Sequence, residues 1–287
     1  MIYSADHSRQ MNEAHYASGG THQAFIAIEW NQTWGKKADE EFANLYFPIG
    51  TPERSKWDVI TSNMRVQLIK QPGTRQGLDG KISVFVAYPT EQNPTLYAFH
   101  VDDYAELLDL NFKEGTLIES PLYLVCTHSQ RDVCCARDGL PLYRALQDEA
   151  GDAVWQSSHI GGHRFAATML CLPSGLYYGR IEQEDAAEIH QQTQQGKMIN
   201  RLYRGRACYT AYEQAAEYFL RVSTGITALD HFTLIESEPY RCVFQGKQNR
   251  HIITLNHVMS SWKVIVNSGE TEGKSQPIFT LISHKSL

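Results

Sequence analysis

Cys126-Thr-His128-Ser-Gln-Arg131-Asp132-Val-Cys134-Cys135, followed by Ser157-Ser-His159-Ile-Gly161-Gly162-His163, is the stretch that decides how this chain is read. Thiolate and imidazole are metal ligands, and thiols at a fixed interval followed by two histidines four residues apart are explained most simply by a shared metal centre. The apolar run Leu122-Tyr123-Leu124-Val125 ahead of Cys126 reads as a buried strand. Cys134 and Cys135 are expected in a polar loop, before a helix over Pro141 to Ala150. Gly161 and Gly162 let backbone approach a bound group closely. On spacing alone, a Cys2His2 zinc site and an iron–sulfur cluster fit about equally well.

Cys126-x-His128-x-x-Arg131-Asp132-x-x-Cys135, then His159-x-Gly161-Gly162-His163 and Tyr178-Gly179-Arg180, resembles the sucrase/ferredoxin-like family, specifically over Leu122 to Ile181. The resemblance implies a thioredoxin-like ferredoxin module that transfers electrons through a [2Fe-2S] cluster, with zinc as the lesser alternative. It carries the ligands to Cys126, Cys135, His159 and His163, leaves Cys134 as a spare thiol, and implies a redox partner protein of unknown identity. Two thiolates and two imidazoles match the Rieske ligand set, in which histidine raises the potential relative to all-cysteine clusters. Within the loop, Arg131 and Asp132 are expected to pair, and His128 to be a neighbour of the centre rather than a ligand. Arg164 and Arg180 are expected to surround it with positive charge.

The chain has 287 residues, 42% hydrophobic and 20% charged, with a net charge of −6. This length accommodates two domains, and the negative balance argues against nucleic acid as a partner. No apolar run approaches the ~20 residues of a membrane helix, and the first twenty residues lack an apolar signal region. Together these give the expectation of a cytoplasmic protein. The cysteines then read as thiols and ligands rather than disulfides, with Cys171, Cys208 and Cys242 assigned to packing. Residues 1–20 read as a loosely packed lead-in.

The order of elements repeats. Strands at Ala24 to Ile28, Arg65 to Ile69, Lys81 to Tyr88 and Thr95 to Val101, with helices at Ala38 to Leu45 and Asp102 to Leu108, are echoed by Leu122 to Cys126, Pro141 to Ala150, Phe165 to Leu172, Leu176 to Ile181 and Glu184 to Gln195. The expected fold is α/β: two thioredoxin-like modules, the first degenerate, with a C-terminal helix and β-rich extension. The expected division is 1–115, 116–200 and 201–287. Trp30 is expected where the second module has Cys126, and the degenerate copy serves as a built-in partner, giving a monomer. Arg201, Arg204 and Arg206 read as a solvated face before an amphipathic helix from Tyr209 to Arg221. Antiparallel strands follow from Phe232, Trp262 to Val266 among them, and no chemistry-bearing motif stands out in that extension.

Other classes lack their signatures. A thioredoxin-type oxidoreductase needs Cys-x-x-Cys, whereas this chain has an adjacent pair. A glycosidase needs two carboxylates across a cleft, and Glu182, Glu184 and Asp185 read as helix-start residues. Dinucleotide and P-loop fingerprints are missing. A thioredoxin-fold thiol oxidoreductase and a zinc-stabilised binding module stay as the alternatives.

Overall fold

The fold, a computed structural model that describes residues 1–72 and 80–287, centres on a ten-stranded sheet. The first half contributes β1 (Ala24–Glu29), α2 (Ala38–Tyr46), α3 (Pro52–Thr61), β2 (Met64–Lys70), β3 (Ile82–Tyr88), β4 (Thr95–Val101) and β5 (Thr116–Leu117), preceded by α1 (Ser4–Gln10). The second half contributes β6 (Leu122–Cys126), α4 (Val133–Ala150), β7 (Val154–Ser157), β8 (Met169–Leu172), β9 (Leu176–Tyr178), α5 (Ala186–Gln194) and β10 (Tyr203–Arg206).

Both halves are wired alike. β1 is parallel to β2 and antiparallel to β3, with β4 and β5 added outward; β6 is parallel to β7 and antiparallel to β8, with β9 and β10 added outward. Second-first-third-fourth is the thioredoxin-like strand order, so the fold is α/β with two such modules. They meet where β2 and β7 pair antiparallel, Ile69 against Ser157 and Lys70 against Gln156, giving the order β10-β9-β8-β6-β7-β2-β1-β3-β4-β5. β1 and β6 are buried along their whole length, as strands covered on both faces must be. The sheet continues through the expected divisions at 115 and 200, since β5 pairs with β4 and β10 with β9.

The register corrects one equivalence. Glu29 lies opposite Ile69 as Cys126 lies opposite Ser157, and Trp30 N–H donates to the Ile69 carbonyl as Thr127 N–H donates to that of Ser157. Glu29, not Trp30, occupies the Cys126 position. Its carboxylate accepts from the Ser83 N–H at 3.0 Å, so at this position the first module makes a backbone hydrogen bond.

α4 begins at Val133 rather than Pro141, and Cys134 and Cys135 lie in its first turn instead of a loop. Asp132 is its N-cap, accepting from Cys134 N–H at 2.9 Å. The early start is hidden by Gly139 and Pro141, ordinarily helix breakers, which here sit inside the helix. Gly139 is required by packing: a Cβ there would stand 2.1 Å from the carbonyl oxygen of Cys126.

Residues 1–20 are not a loose lead-in. α1 buries Ser4, Ala5 and Ser8, and Glu13 is buried beyond it. In the arginine cluster Arg201 is exposed, as expected of a solvated face, but the other two are not. Arg204 and Arg206 are each 1% exposed, and Arg206 and Arg221 share the buried Glu217 at 3.5 and 2.9 Å. Burial alone would raise the Glu217 carboxyl; Arg221 and Arg206 outweigh it and hold the group below its usual range.

α6 (Ala211–Thr224), with a Thr210/Glu213 capping box and Gly225 left-handed at its end, packs on a second, four-stranded sheet. Its strands are β11 (Thr233–Glu238), β12 (Arg241–Gln245), β13 (Arg250–Met259) and β14 (Pro277–Ser286), in that order. Trp262 to Val266 is not a strand of it. Apart from a bridge between Val264 and Lys274, residues 260–276 loop back to the N-terminus, where Ile265 N–H donates to His7 and Gly269 N–H to the Ile2 carbonyl. Among the described residues no helix is long and apolar enough to cross a membrane.

Gly139→Ala is expected to destabilise the protein by about 1–3 kcal/mol, the usual cost of overpacking, measured by denaturant unfolding. An unchanged midpoint would show that α4 can move off β6 without cost.

Candidate metal centre

β6 delivers Cys126 at its C-terminal end, α4 delivers Cys135 from its first turn, and His159 follows two residues after β7. His159 Nδ1 is 3.9 Å from Cys126 Sγ and 3.7 Å from Cys135 Sγ. The three ligand atoms all lie within 4.8 Å of one another. Both thiols are buried, and His159 is half-buried. The two thiols are held apart in acidity: Cys135, with His159 assisting, holds Cys126 well below its ordinary range against the cost of burial, and Cys135 is pushed up in turn.

His163 stands outside this trio but beside it, its ring 5.3 Å from that of His159. Its Nε2 lies 2.8 Å from the Val266 carbonyl, which can only accept, so Nε2 carries the hydrogen. Nδ1 is left as a buried lone pair with no partner. Such a group costs about 1–3 kcal/mol if nothing fills it. Two thiols, His159 Nδ1 and this orphaned nitrogen make a donor set that fits zinc or a [2Fe-2S] cluster.

Neighbouring groups fix the donors. His128 Nε2 donates to the Gly35 carbonyl at 2.6 Å and Nδ1 accepts from the His159 N–H at 3.1 Å, so both nitrogens are occupied. Arg65 donates to the His159 carbonyl at 3.1 Å. Asp132 forms no ion pair with Arg131 among the described residues: besides capping α4, its carboxylate accepts from Ser268 N–H and Oγ, each at 2.8 Å, and lies 3.7 Å from His163 Nε2. Cys134 faces Ser4 and Ser268 and packs with Ala5 and Ala166. Burial pushes its thiol up.

Arg164 and Arg180 are turned toward the N-terminal segment, Arg164 pairing with Glu13 and Arg180 donating to Ser8 and the Glu13 carbonyl. The cations that do reach the histidine loop are Arg65, on the His159 carbonyl, and Arg204, which donates to the Gly161 carbonyl. Arg204, Val266 and Ser268 escaped the sequence reading; the one signal was the arginine cluster, which resembled a surface.

Residues 16–205, both halves of the large sheet, match the sucrase/ferredoxin-like family. The chain belongs to that family. Among similar proteins are those named Altered inheritance of mitochondria protein 32 of Debaryomyces hansenii, 38% identical over 107 residues, and of Meyerozyma guilliermondii, 30% identical over 128 residues. The matches cover 33% and 41% of this chain and 39% and 45% of those proteins, so the chain spans less than half the length of the curated relatives it matches. A solved thioredoxin-like [2Fe-2S] ferredoxin from Aquifex aeolicus aligns at 19% identity with a TM-score of 0.26, over 30% of this chain and 91% of its own. The expectation of a cytoplasmic protein is overturned by these relatives, whose name ties them to mitochondria; the mixed charge of residues 1–20 says nothing against an organelle.

Asp132→Ala removes the α4 cap, worth about 1 kcal/mol, together with the acceptor for Ser268. It is expected to lower stability by at least that amount and to weaken metal retention roughly 10–100-fold, as loss of a group supporting metal ligands does. Chelator competition measures the second effect, and unchanged retention would show that the ligands hold their places without Asp132.

Proposed function

We propose that this protein transfers electrons through one [2Fe-2S] cluster held by Cys126, Cys135, His159 and His163. The observation that carries the reading is the convergence of two buried thiols and His159 Nδ1 next to a buried, unpartnered His163 Nδ1. A cluster bound there supplies one-electron chemistry, with imidazole ligation favouring a higher potential than four thiolates give. The chain's own part is to keep that site dry and its ligands fixed. In this reading the first half, through β5, is a degenerate copy of the second, β6 to β10, and acts as a built-in partner, so the protein works as a monomer, and the segment after β10 covers the site.

Electrons enter at His159, the half-buried ligand. A cavity of about 250 Å³ beside it is lined by Lys36, Lys37, Arg65, His128 and Arg131, with one carboxylate, Asp39, among them. Lys37 pairs with Glu40, but among the described residues Lys36, Arg65 and Arg131 have no carboxylate in ion-pair reach. A local basic rim on a chain of net charge −6 favours a redox partner with an acidic docking face.

A second reading, a dithiol oxidoreductase, is favoured by the closeness of the two thiols and by Cys126 lying below its ordinary range. Their exposure of 0% and 1% weighs against it, because a nucleophilic thiol has to reach its substrate.

Protein purified without oxygen is expected to hold iron and acid-labile sulfide at about two each per chain. Cys135→Ser should lose or strongly alter the visible spectrum, and Cys134→Ser should keep it. One zinc without sulfide would establish a zinc module instead. Reversible oxidation of two thiols without any metal would establish the oxidoreductase.

Reduction by an acidic donor protein is expected to slow as salt rises, and Lys36→Glu with Arg131→Glu should slow it about tenfold or more at low salt. Stopped-flow rates that ignore both changes would move the docking face elsewhere.

A further inference from the structure

Arg204 is a fully buried guanidinium, 1% exposed, on β10. Its partners are all neutral: Nε donates to Ser18 Oγ at 3.1 Å, Nη2 to the Ser18 carbonyl at 2.7 Å and Nη1 to the Gly161 carbonyl at 3.0 Å. Among the described residues it has no carboxylate in ion-pair reach, whereas its buried neighbours Arg206 and Arg221 share Glu217. A buried charge without a counter-charge costs several kcal/mol. Burial accordingly brings the guanidinium down to about 10, Tyr177 opposing this and Arg164 adding to it, while Cys126 and Cys135 pull it back up.

The fold makes room for this cation at two motif glycines. A Cβ on Gly162, whose φ is +73°, would meet Arg204 Nη2 at 2.1 Å, and one on Gly179 would meet its Cδ at 2.5 Å. Gly162 and Gly179 of the His-x-Gly-Gly-His and Tyr-Gly-Arg strings therefore house a guanidinium against the histidine loop, not a bound group. Ring faces of Phe165 and Tyr177, 5.6 and 5.8 Å away, complete a site that holds positive charge by dipoles and π-faces alone.

We infer that Arg204 is the internal counter-ion of the metal centre, a positioning residue that favours its more negative, reduced state. This rests on the iron–sulfur reading. With two thiolates, two sulfides, two ferric ions and neutral imidazoles the charges cancel. One electron from the donor leaves a single negative charge, and no bond or proton has to move. A fixed buried cation opposes that charge, as a carboxylate partner would not.

The test is a spectroelectrochemical titration of the anaerobic holoprotein, with stability read in parallel. In Arg204→Met, the ratio of reduced to oxidised centre at a fixed applied potential should fall at least tenfold, a shift of about 59 mV for one electron. Arg204→Lys should keep most of the parent ratio while losing stability, since charge remains and the fork is lost. Ser18→Ala, which removes two hydrogen bonds, the one from Arg204 Nε and the one to the His15 carbonyl, and no charge, should lower the melting temperature and leave the ratio alone. A merely structural Arg204 would instead make the variants differ in stability with one common ratio, overturning the inference. If Arg204→Met does not accumulate, Arg204→Gln is read in its place; if neither neutral variant folds even without metal, the fold itself needs the cation and the counter-ion role is overturned. A parent protein without iron and sulfide sinks the iron–sulfur reading, and this inference with it. A parent with a cluster whose ratio ignores Arg204 sinks the inference alone.

Discussion

The short antiparallel pairing of β2 with β7 holds this architecture together, because it makes two small sheets into one and places the start of the histidine loop at the seam. Beyond the ladder, Ser158 N–H donates to the Leu68 carbonyl at 2.7 Å and Ser158 Oγ accepts from Leu68 N–H at 3.0 Å. Buried Gln67 joins them by bonding Ser157 and Ser158. His159 is the next residue. Its backbone is then held from the first module by Arg65 directly and by Gly35 through His128. The first module, with Glu29 where the second has Cys126, is thus the wall that orients His159.

Much of the sheet was legible because its strands are short, apolar and separated by polar turns, and all-buried runs such as Phe25 to Ile28 and Leu122 to Val125 announce themselves. The cysteine–histidine spacing pointed to a metal centre because few other arrangements bring such residue types together. What could not be read depends on contacts distant in sequence. Arg204 and Arg206 look like surface charge until Ser18, Gly161 and Glu217 are seen around them. The start of α4 was masked because Gly139 and Pro141 are read by local propensity, while the residue that decides is Asp132, whose cap bond fixes the first turn. The one-residue shift between Trp30 and Glu29 is of the same kind, since sequence alignment by strand pattern does not see register.

The C-terminal extension belongs to the site even though the family match ends at residue 205. It carries no ligand-type motif, and its contributions are a carbonyl from Val266 and a serine at 268. Each does something a metal ligand cannot do for itself. The Val266 carbonyl takes the Nε2 hydrogen of His163 and so fixes the tautomer in which Nδ1 is free. Ser268 binds Asp132 and reaches Cys134, tying the first turn of α4 to the same segment. Because residues 260–276 also lie against α1 through His7 and Ile2, both chain ends close over one side of the centre. His159, on the other side, faces the basic cavity. In the proposed electron-transfer reading, burial on one flank and partial exposure on the other would give electron entry a direction, since the exchange distance is short only where His159 reaches the surface, and Lys36, Arg65 and Arg131 line the cavity there.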